Sequence, residues 1–272
     1  MKRAKVEVDK VTKTYKTGGG STTAVKDCSF EVSEGEFLSV LGPSGCGKST
    51  LLRMITGFEL PTEGQIYFDG QLCNGIIGRE RAMVFQEPTL FPWLRVKNNI
   101  AFGLKFRDCS EDEVTQRVKE YVATMGLIGF EDRLPHELSG GMRQRAMLAR
   151  TLVNEPDVLL MDEPFASVDA YTREILQLDL LRVWGEELKP TERKTVIFVT
   201  HSIEEAILLG DRILVCTHRP ACPLSEVHPE LGRPRCREMI ATPYFVGLKE
   251  ELSVIMREQV LKSREIELVE GA

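Results

Sequence analysis

The sequence predicts an α/β fold: a mostly parallel sheet with crossover helices, an antiparallel β portion near its start and a helical insertion within it. Three observations carry this. Phe37-Leu38-Ser39-Val40-Leu41, Val158-Leu159-Leu160-Met161, Val196-Ile197-Phe198-Val199 and Ile213-Leu214-Val215 are short apolar runs, the pattern of strands buried on both faces. Helical segments at roughly 143–153, 171–188 and 202–209 separate them, which is how parallel strands are joined. Earlier stretches alternate apolar with polar residues instead, as half-exposed antiparallel strands do.

Taken in chain order, Val6-Glu7-Val8, Phe30-Glu31-Val32 and Gly64-Gln65-Ile66-Tyr67-Phe68-Asp69-Gly70 alternate. Ser49 to Phe58 carries Leu51, Leu52, Ile55 and Phe58 at helical spacing. Between Glu87 and Arg150 strand signals fade, and helix-rich sequence such as Glu111 to Met125 dominates. Lys189-Pro190-Thr191-Glu192-Arg193 reads as a polar loop. Beyond Pro220 come several prolines, then a charged amphipathic helix from about Phe245 to Ser263. The expected division is 1–86 for the antiparallel β portion and the first part of the core, 87–153 for the helical block, 154–220 for the rest of the core and 221–272 for a carboxyl-terminal extension.

A chain of 272 residues buries a full core, and 42% hydrophobic with 28% charged residues is ordinary for a globular protein. The net charge of −6 argues against nucleic acid as the main partner, because phosphate-backbone binding wants a basic face. No apolar run approaches the roughly 20 residues needed to span a bilayer. The basic start, Met1-Lys2-Arg3-Ala4-Lys5, lacks the apolar stretch of a signal peptide, so the expected compartment is the cytoplasm. The seven cysteines are irregularly spaced and read as free thiols. Cys216, His218, Cys222, His228 and Cys236 admit a metal-site reading, but they lack the paired C-x-x-C spacing of a zinc knuckle.

The chemistry concentrates at strand ends. Gly42-Pro43-Ser44-Gly45-Cys46-Gly47-Lys48-Ser49-Thr50 fits G-x-x-x-x-G-K-[ST] between a strand and a helix. Its glycines let backbone N–H groups turn inward around phosphate oxygens at the positive end of the helix. Lys48 is then placed for the β- and γ-phosphates and the Ser49 hydroxyl for Mg²⁺. Cys46, lying in this loop, suggests that alkylation would impair binding. Asp162 ends an apolar strand and Glu163 follows it, a pair suited to orient Mg²⁺ and to polarise an attacking water. The plainer alternative is a pair of carboxylates capping a helix. In Leu138-Ser139-Gly140-Gly141-Met142-Arg143-Gln144-Arg145, Met142, Ala146, Ala149 and Val153 fall on one helical face, leaving the amino end open to a second anion. Since the phosphate loop already has its own helix, a second chain is implied.

With these motifs in this order, the chain resembles the ATP-binding subunit of an ABC transporter, from about Val6 to Val215. The resemblance implies a P-loop NTPase of the ABC ATPase type, with a RecA-like core. It makes Ser139, Gly140 and Gly141 the signature that contacts the γ-phosphate held by another subunit. It makes Gln86 the sensor of Mg²⁺ and γ-phosphate, His201 the switch on the γ-phosphate and Asp169 part of the loop crossing to the opposite site. Tyr15 falls where an aromatic stacks on adenine, with packing against the early strands as the alternative. Glu163, His201 and Lys48 are the implied catalytic residues, with Ser49, Gln86 and Asp162 at the metal. Val168 and Ser202 replace the leucine and aspartate usual in the family, and neither change removes a catalytic atom.

Leu90-Phe91-Pro92-Trp93-Leu94-Arg95 and the tail around Arg233-Pro234-Arg235 are similar to the importer branch for nitrate, sulfonates, taurine and related small anions. In the family the groove after Gln86 receives a cytoplasmic helix of the permease. Phe91 and Trp93 are candidates for its wall, with Trp93 as core of the helical block the other reading. The implied substrate is ATP with Mg²⁺. The implied partners are integral membrane permease subunits, an extracytoplasmic solute-binding protein and a head-to-tail dimer with itself or a paralogous subunit. The implied location is the cytoplasmic side of the inner membrane, peripheral through the permease. A non-transport ATPase acting on nucleic acid or ribosomes is the alternative. It usually carries long coiled coils or fused cassettes, and this chain shows neither.

Overall fold

The computed structural model describes residues 4–18, 20–75 and 78–270; Met1-Lys2-Arg3 of the basic start lie outside the described residues. The chain opens with long antiparallel strands β1 (Ala4–Thr17) and β2 (Gly20–Ser33), followed by β3 (Phe37–Leu41), α1 (Lys48–Thr56), β4 (Glu63–Phe68), β5 (Gln71–Leu72) and β6 (Arg81–Val84). Helices α2 (Val96–Ala101), α3 (Glu111–Thr124) and α4 (Gly140–Leu152) come next. Then follow β7 (Val158–Asp162), α5 (Ala170–Trp184), β8 (Thr195–Thr200), α6 (Ile203–Leu209), β9 (Arg212–Cys216), β10 (Pro223–Val227) and α7 (Pro243–Glu270).

Two sheets result. A four-stranded sheet runs β2-β1-β4-β5, its pairs all antiparallel, and a six-stranded sheet runs β10-β9-β3-β8-β7-β6. The larger sheet is parallel except for β10, which pairs antiparallel with β9 at the edge. Its central strands β3, β7 and β8 are buried along their whole length because each face meets a different layer. In β7, Val158 and Leu160 point into the cluster shared with α1 and the antiparallel sheet, where Val6, Val8, Ile66, Leu51 and Ile55 are buried. Leu159 and Met161 point the other way, into the cluster with α4 and α5, among Ala146, Leu148, Leu176 and Trp184. A third cluster joins α6 and α7 to Leu41, Ile213 and Val215.

The structure departs from the sequence reading in five places. The four-residue β6 had no run long enough to mark it, and its Arg81 is buried with the guanidinium 4.3 Å over the Phe68 ring. Strand β10 begins at a proline, tolerated because it lies on the edge of the sheet. Helix α1 stops before Phe58 because Gly57 takes a left-handed cap at φ 87°, and α5 stops at Trp184 because Gly185 does the same at φ 92°. Helix α7 continues to Glu270, beyond the expected Ser263. Among the described residues, no helix is long and apolar enough to cross a membrane.

Leu160 is fully buried in the middle of β7, with β6 and β8 on either side. Leu160→Ala should cost about 2–5 kcal/mol in urea unfolding, the range for a buried leucine whose cavity does not collapse. A loss below about 1 kcal/mol would mean that the layers over β7 close the gap.

Candidate functional site

The parallel register carries four segments to one edge. Leu41, the last residue of β3, pairs with Thr200 of β8, so the loop from Gly42 starts beside His201. Val84 of β6 pairs with Met161, each two residues before Gln86 and Glu163. Asp162 pairs with Val199. A cleft of about 290 Å³ opens there, lined by Ser44, Gly45, Gly47, Lys48, Ser49, Thr50, Gln86 and Glu163. Ligands of open parallel sheets bind in this position, outside the carboxyl ends of the strands at the point where the order reverses.

The loop's shape depends on glycine where the backbone demands it. Gly47 has φ 126°, and a Cβ there would lie 2.2 Å from the Ala24 carbonyl oxygen, part of the backbone of β2. It is also the N-cap of α1, whose first amides face the cleft mouth at the positive end of the helix. Lys48 is buried, and its Nζ donates to the carbonyls of Gly42 and Pro43, each at 2.8 Å. The ammonium also stands 3.8 Å from Oε1 of Glu163.

Ser49 Oγ donates to Oδ1 of Asp162 at 2.9 Å. Burial holds the Asp162 carboxyl above its ordinary range, the Ser49 hydrogen bond opposes this, and the Glu163 carboxylate adds to it. A hydroxyl and a carboxylate side by side, with a second acidic group adjacent, form a hard-oxygen donor set that fits Mg²⁺.

Glu163 is held in a costly conformation. Its φ of 44° is in the left-handed region, which costs a residue with a side chain on the order of 1–3 kcal/mol. The surrounding ladder imposes it: Glu163 N–H donates to Val199 O at 3.0 Å, and Glu163 O accepts from Ala166 N at 3.1 Å. Nδ1 of the half-exposed His201 donates to Oε2 of Glu163 at 2.7 Å; a carboxylate only accepts, so this nitrogen carries the hydrogen.

A polar network behind His201 was not singled out from the sequence. Thr200 Oγ1 donates to Glu205 Oε2 at 2.6 Å and accepts from Ser202 N at 2.9 Å, while Gln177 Nε2 donates to Glu205 Oε1 at 3.1 Å. Burial raises the Glu205 pKa, partly offset by Thr200, Arg173 and Gln177. The network fixes the backbone beside His201 and ties it to α5. Its sequence signal is the S-x-x-E spacing of Ser202 and Glu205 at the start of α6, where Ser202 Oγ accepts from Glu205 N at 3.4 Å.

The remaining candidates divide. Tyr15, on β1, is half-buried; its hydroxyl donates to Glu59 Oε2 at 2.5 Å and is within hydrogen-bonding reach of Thr50 in α1. Ser139 is the N-cap of α4, accepting from Met142 N at 3.3 Å, with Gly140 and Gly141 in the first turn. Asp169 is the N-cap of α5, accepting from Thr172 N at 3.0 Å, which holds its carboxyl below the usual range. The two helix starts touch: a Cβ on Gly141 would come within 2.4 Å of Thr172 Cγ2. Neither Ser139, Gly140, Gly141 nor Asp169 lines the phosphate-loop cleft.

Two readings change. Cys46 is buried beneath the loop, and burial pushes its thiol up, which shields it from the alkylation that its place in the loop suggested would impair binding. Trp93 is 72% exposed with its ring 5.7 Å from Phe91, so it is not core. Beside Phe91 lies a groove of about 430 Å³ that also includes Thr89, Phe102 and Arg150. In the Cys/His-rich segment, Cys216 is buried at the end of β9, His218 Nδ1 lies 3.2 Å from Gln259 Oε1 and Cys236 is exposed. Among the described residues, no group of three or more His, Cys, Asp or Glu is arranged to hold a metal ion.

At pH 7.5 iodoacetamide should modify Cys46 at least about tenfold more slowly than Cys236, read by peptide mass spectrometry, because only the thiolate reacts. Equal rates would place the Cys46 thiol in solvent.

A family model described as ABC transporter matches residues 25–166. The chain is 42% identical over 259 residues to the taurine import ATP-binding protein of Pelagibacter ubique, covering 91% of this chain and 94% of that one. It is also 42% identical over 247 residues to the nitrate import ATP-binding protein of Synechococcus elongatus, covering 89% and 88%. A solved dimeric post-hydrolysis state of an ATP-binding cassette bound to ADP and Pi matches with a TM-score of 0.73 and 34% identity, covering 84% of this chain and all 100% of that one.

Proposed function

The chain belongs to the ABC transporter family, and on that premise we propose that it is the ATP-hydrolysing subunit of an importer for a small anion of the taurine, sulfonate or nitrate kind. The observation that carries the hydrolytic part is the Glu163–His201 pair, at 2.7 Å, beside Lys48 in the phosphate-loop cleft. The substrate class rests on the taurine and nitrate import relatives.

The loop amides from Gly42 to Thr50 and the start of α1 bind the phosphates of ATP, and Lys48 moves from the Gly42 and Pro43 carbonyls to the β- and γ-phosphates. Ser49 and Asp162, with Gln86 next to them, hold Mg²⁺, which neutralises charge on the phosphate oxygens when bound. Glu163 orients the attacking water and takes its proton, and His201 holds the carboxylate in place. Tyr15 sits beside the start of α1 to meet the adenine.

The site is incomplete in one chain. Ser139, Gly140 and Gly141 open α4, whose free amides suit a γ-phosphate, yet they stand apart from the cleft of their own chain. A head-to-tail second copy, or a paralogous subunit, supplies them, and Asp169 beside them crosses with them. ATP held between two chains closes the pair, and phosphate release removes the shared ligand and opens it. Permease subunits in the membrane follow this motion through the groove beside Phe91 and Trp93, on the cytoplasmic side, with an extracytoplasmic solute-binding protein delivering the anion.

Glu163→Gln should retain ATP, accumulate as a closed dimer in size-exclusion chromatography and lose at least about 100-fold in turnover, the low end for removing a positioned base. Near-normal hydrolysis would refute the base assignment. Ser139→Arg should abolish hydrolysis while ATP affinity of the isolated chain, measured by fluorescence titration, stays within about threefold. Loss of binding itself would contradict a role in trans.

A further inference from the structure

Helix α7 buries one face on the third core cluster through Phe245, Leu248, Leu252 and Met256. Its opposite face is not the fully charged surface that a helix on the outside of a fold usually presents. At about 100° per residue, Val246, Glu250, Val254, Arg257 and Leu261 fall on the side away from the core, with Ser253 at its border. Val246, Val254 and Leu261 are 43%, 59% and 55% exposed. A groove of about 450 Å³ runs beside them, reaching Ile240.

The stripe is complementary to itself in reverse. Turned about the midpoint between Ser253 and Val254, Val246 falls on Leu261, Glu250 on Arg257 and Ser253 on Val254. Apolar meets apolar at the ends, opposite charges meet inside them, and the centre is small. Among the described residues neither Glu250 nor Arg257 makes an ion pair, whereas the neighbouring Lys249 is bonded to Glu204. Steps of four and three residues through Val246, Glu250, Ser253 and Arg257 match the period at which two helices keep a common seam.

We propose that α7 pairs antiparallel with α7 of a second copy of this chain. A two-fold axis makes such an interface of one patch meeting itself, and reversal of the helix direction is what that axis imposes here. Each Glu250 then faces an Arg257 across the seam, twice per pair, and the exposed Val246, Val254 and Leu261 are covered. No nucleotide enters this contact. It holds two copies together without the ATP-dependent interface, and it selects an identical chain over a paralogue whose charges do not match.

Sedimentation velocity of the full chain without nucleotide tests this. The wild type should show a concentration-dependent dimer. Glu250→Arg, which sets arginine against arginine at both positions, should raise the dissociation constant at least about tenfold. The double exchange Glu250→Arg with Arg257→Glu should return it to within about threefold of wild type. Ser139→Arg should dimerise like the wild type, which separates this contact from the one that holds ATP. A monomeric wild type at about 100 µM, no effect of Glu250→Arg or no rescue by the double exchange would each overturn the pairing. So would loss of the nucleotide-free dimer in Ser139→Arg.

Discussion

The parallel ladder β3-β8-β7-β6 is the constraint on which the rest of the molecule depends. Both of its faces are buried, so its strands are pinned in register by packing on two sides. That register sets Leu41 against Thr200, Asp162 against Val199 and Val84 against Met161. The phosphate loop, Gln86, Glu163 and His201 leave the sheet within one or two residues of these pairs. A slip of one residue in any pair would separate groups that line or flank a single cleft.

The local strain follows from the same constraint. Glu163 keeps φ 44° because its amide is claimed by Val199 in the neighbouring strand and its carbonyl by Ala166 in the following turn. Gly47 keeps φ 126° because the Ala24 carbonyl of β2 leaves no room for a Cβ. The antiparallel sheet is therefore not an appendage: it presses on the back of the phosphate loop while Tyr15 reaches the start of α1 from the same strands. Behind the opposite side of the cleft, Glu205 joins α5, whose cap is Asp169, to Thr200, the residue before His201. The network thereby ties α5 to the end of β8 beside the phosphate-loop cleft.

The sequence made legible what depends on short-range pattern. Four apolar runs announced β3, β7, β8 and β9, and the G-x-x-x-x-G-K-[ST] spacing located the loop that the structure puts beside Glu163 and Gln86. What it hid was set by tertiary context. Strand β6 is four residues long and begins at an arginine that the Phe68 ring, the Cys73 sulfur and the Glu80 carboxylate make at home in the interior. The depth of Cys46 depends on packing under the loop, and the Glu205 network joins residues from three separate elements. Reactivity and second-layer contacts of this kind have no periodicity to read.

The central claim is that hydrolysis occurs at a site assembled from two chains, and mixing two dead variants tests it most directly. Lys48→Ala removes the lysine of the phosphate loop, and Ser139→Arg blocks the start of α4, so each alone should be inactive. In a mixed head-to-tail dimer both defects fall in one of the two sites, and the other site combines an intact loop with an intact α4. ATP hydrolysis should therefore return on mixing, in proportion to the mixed dimers formed. If the mixture stays as inactive as its components, each chain uses its own α4 and the composite site is wrong.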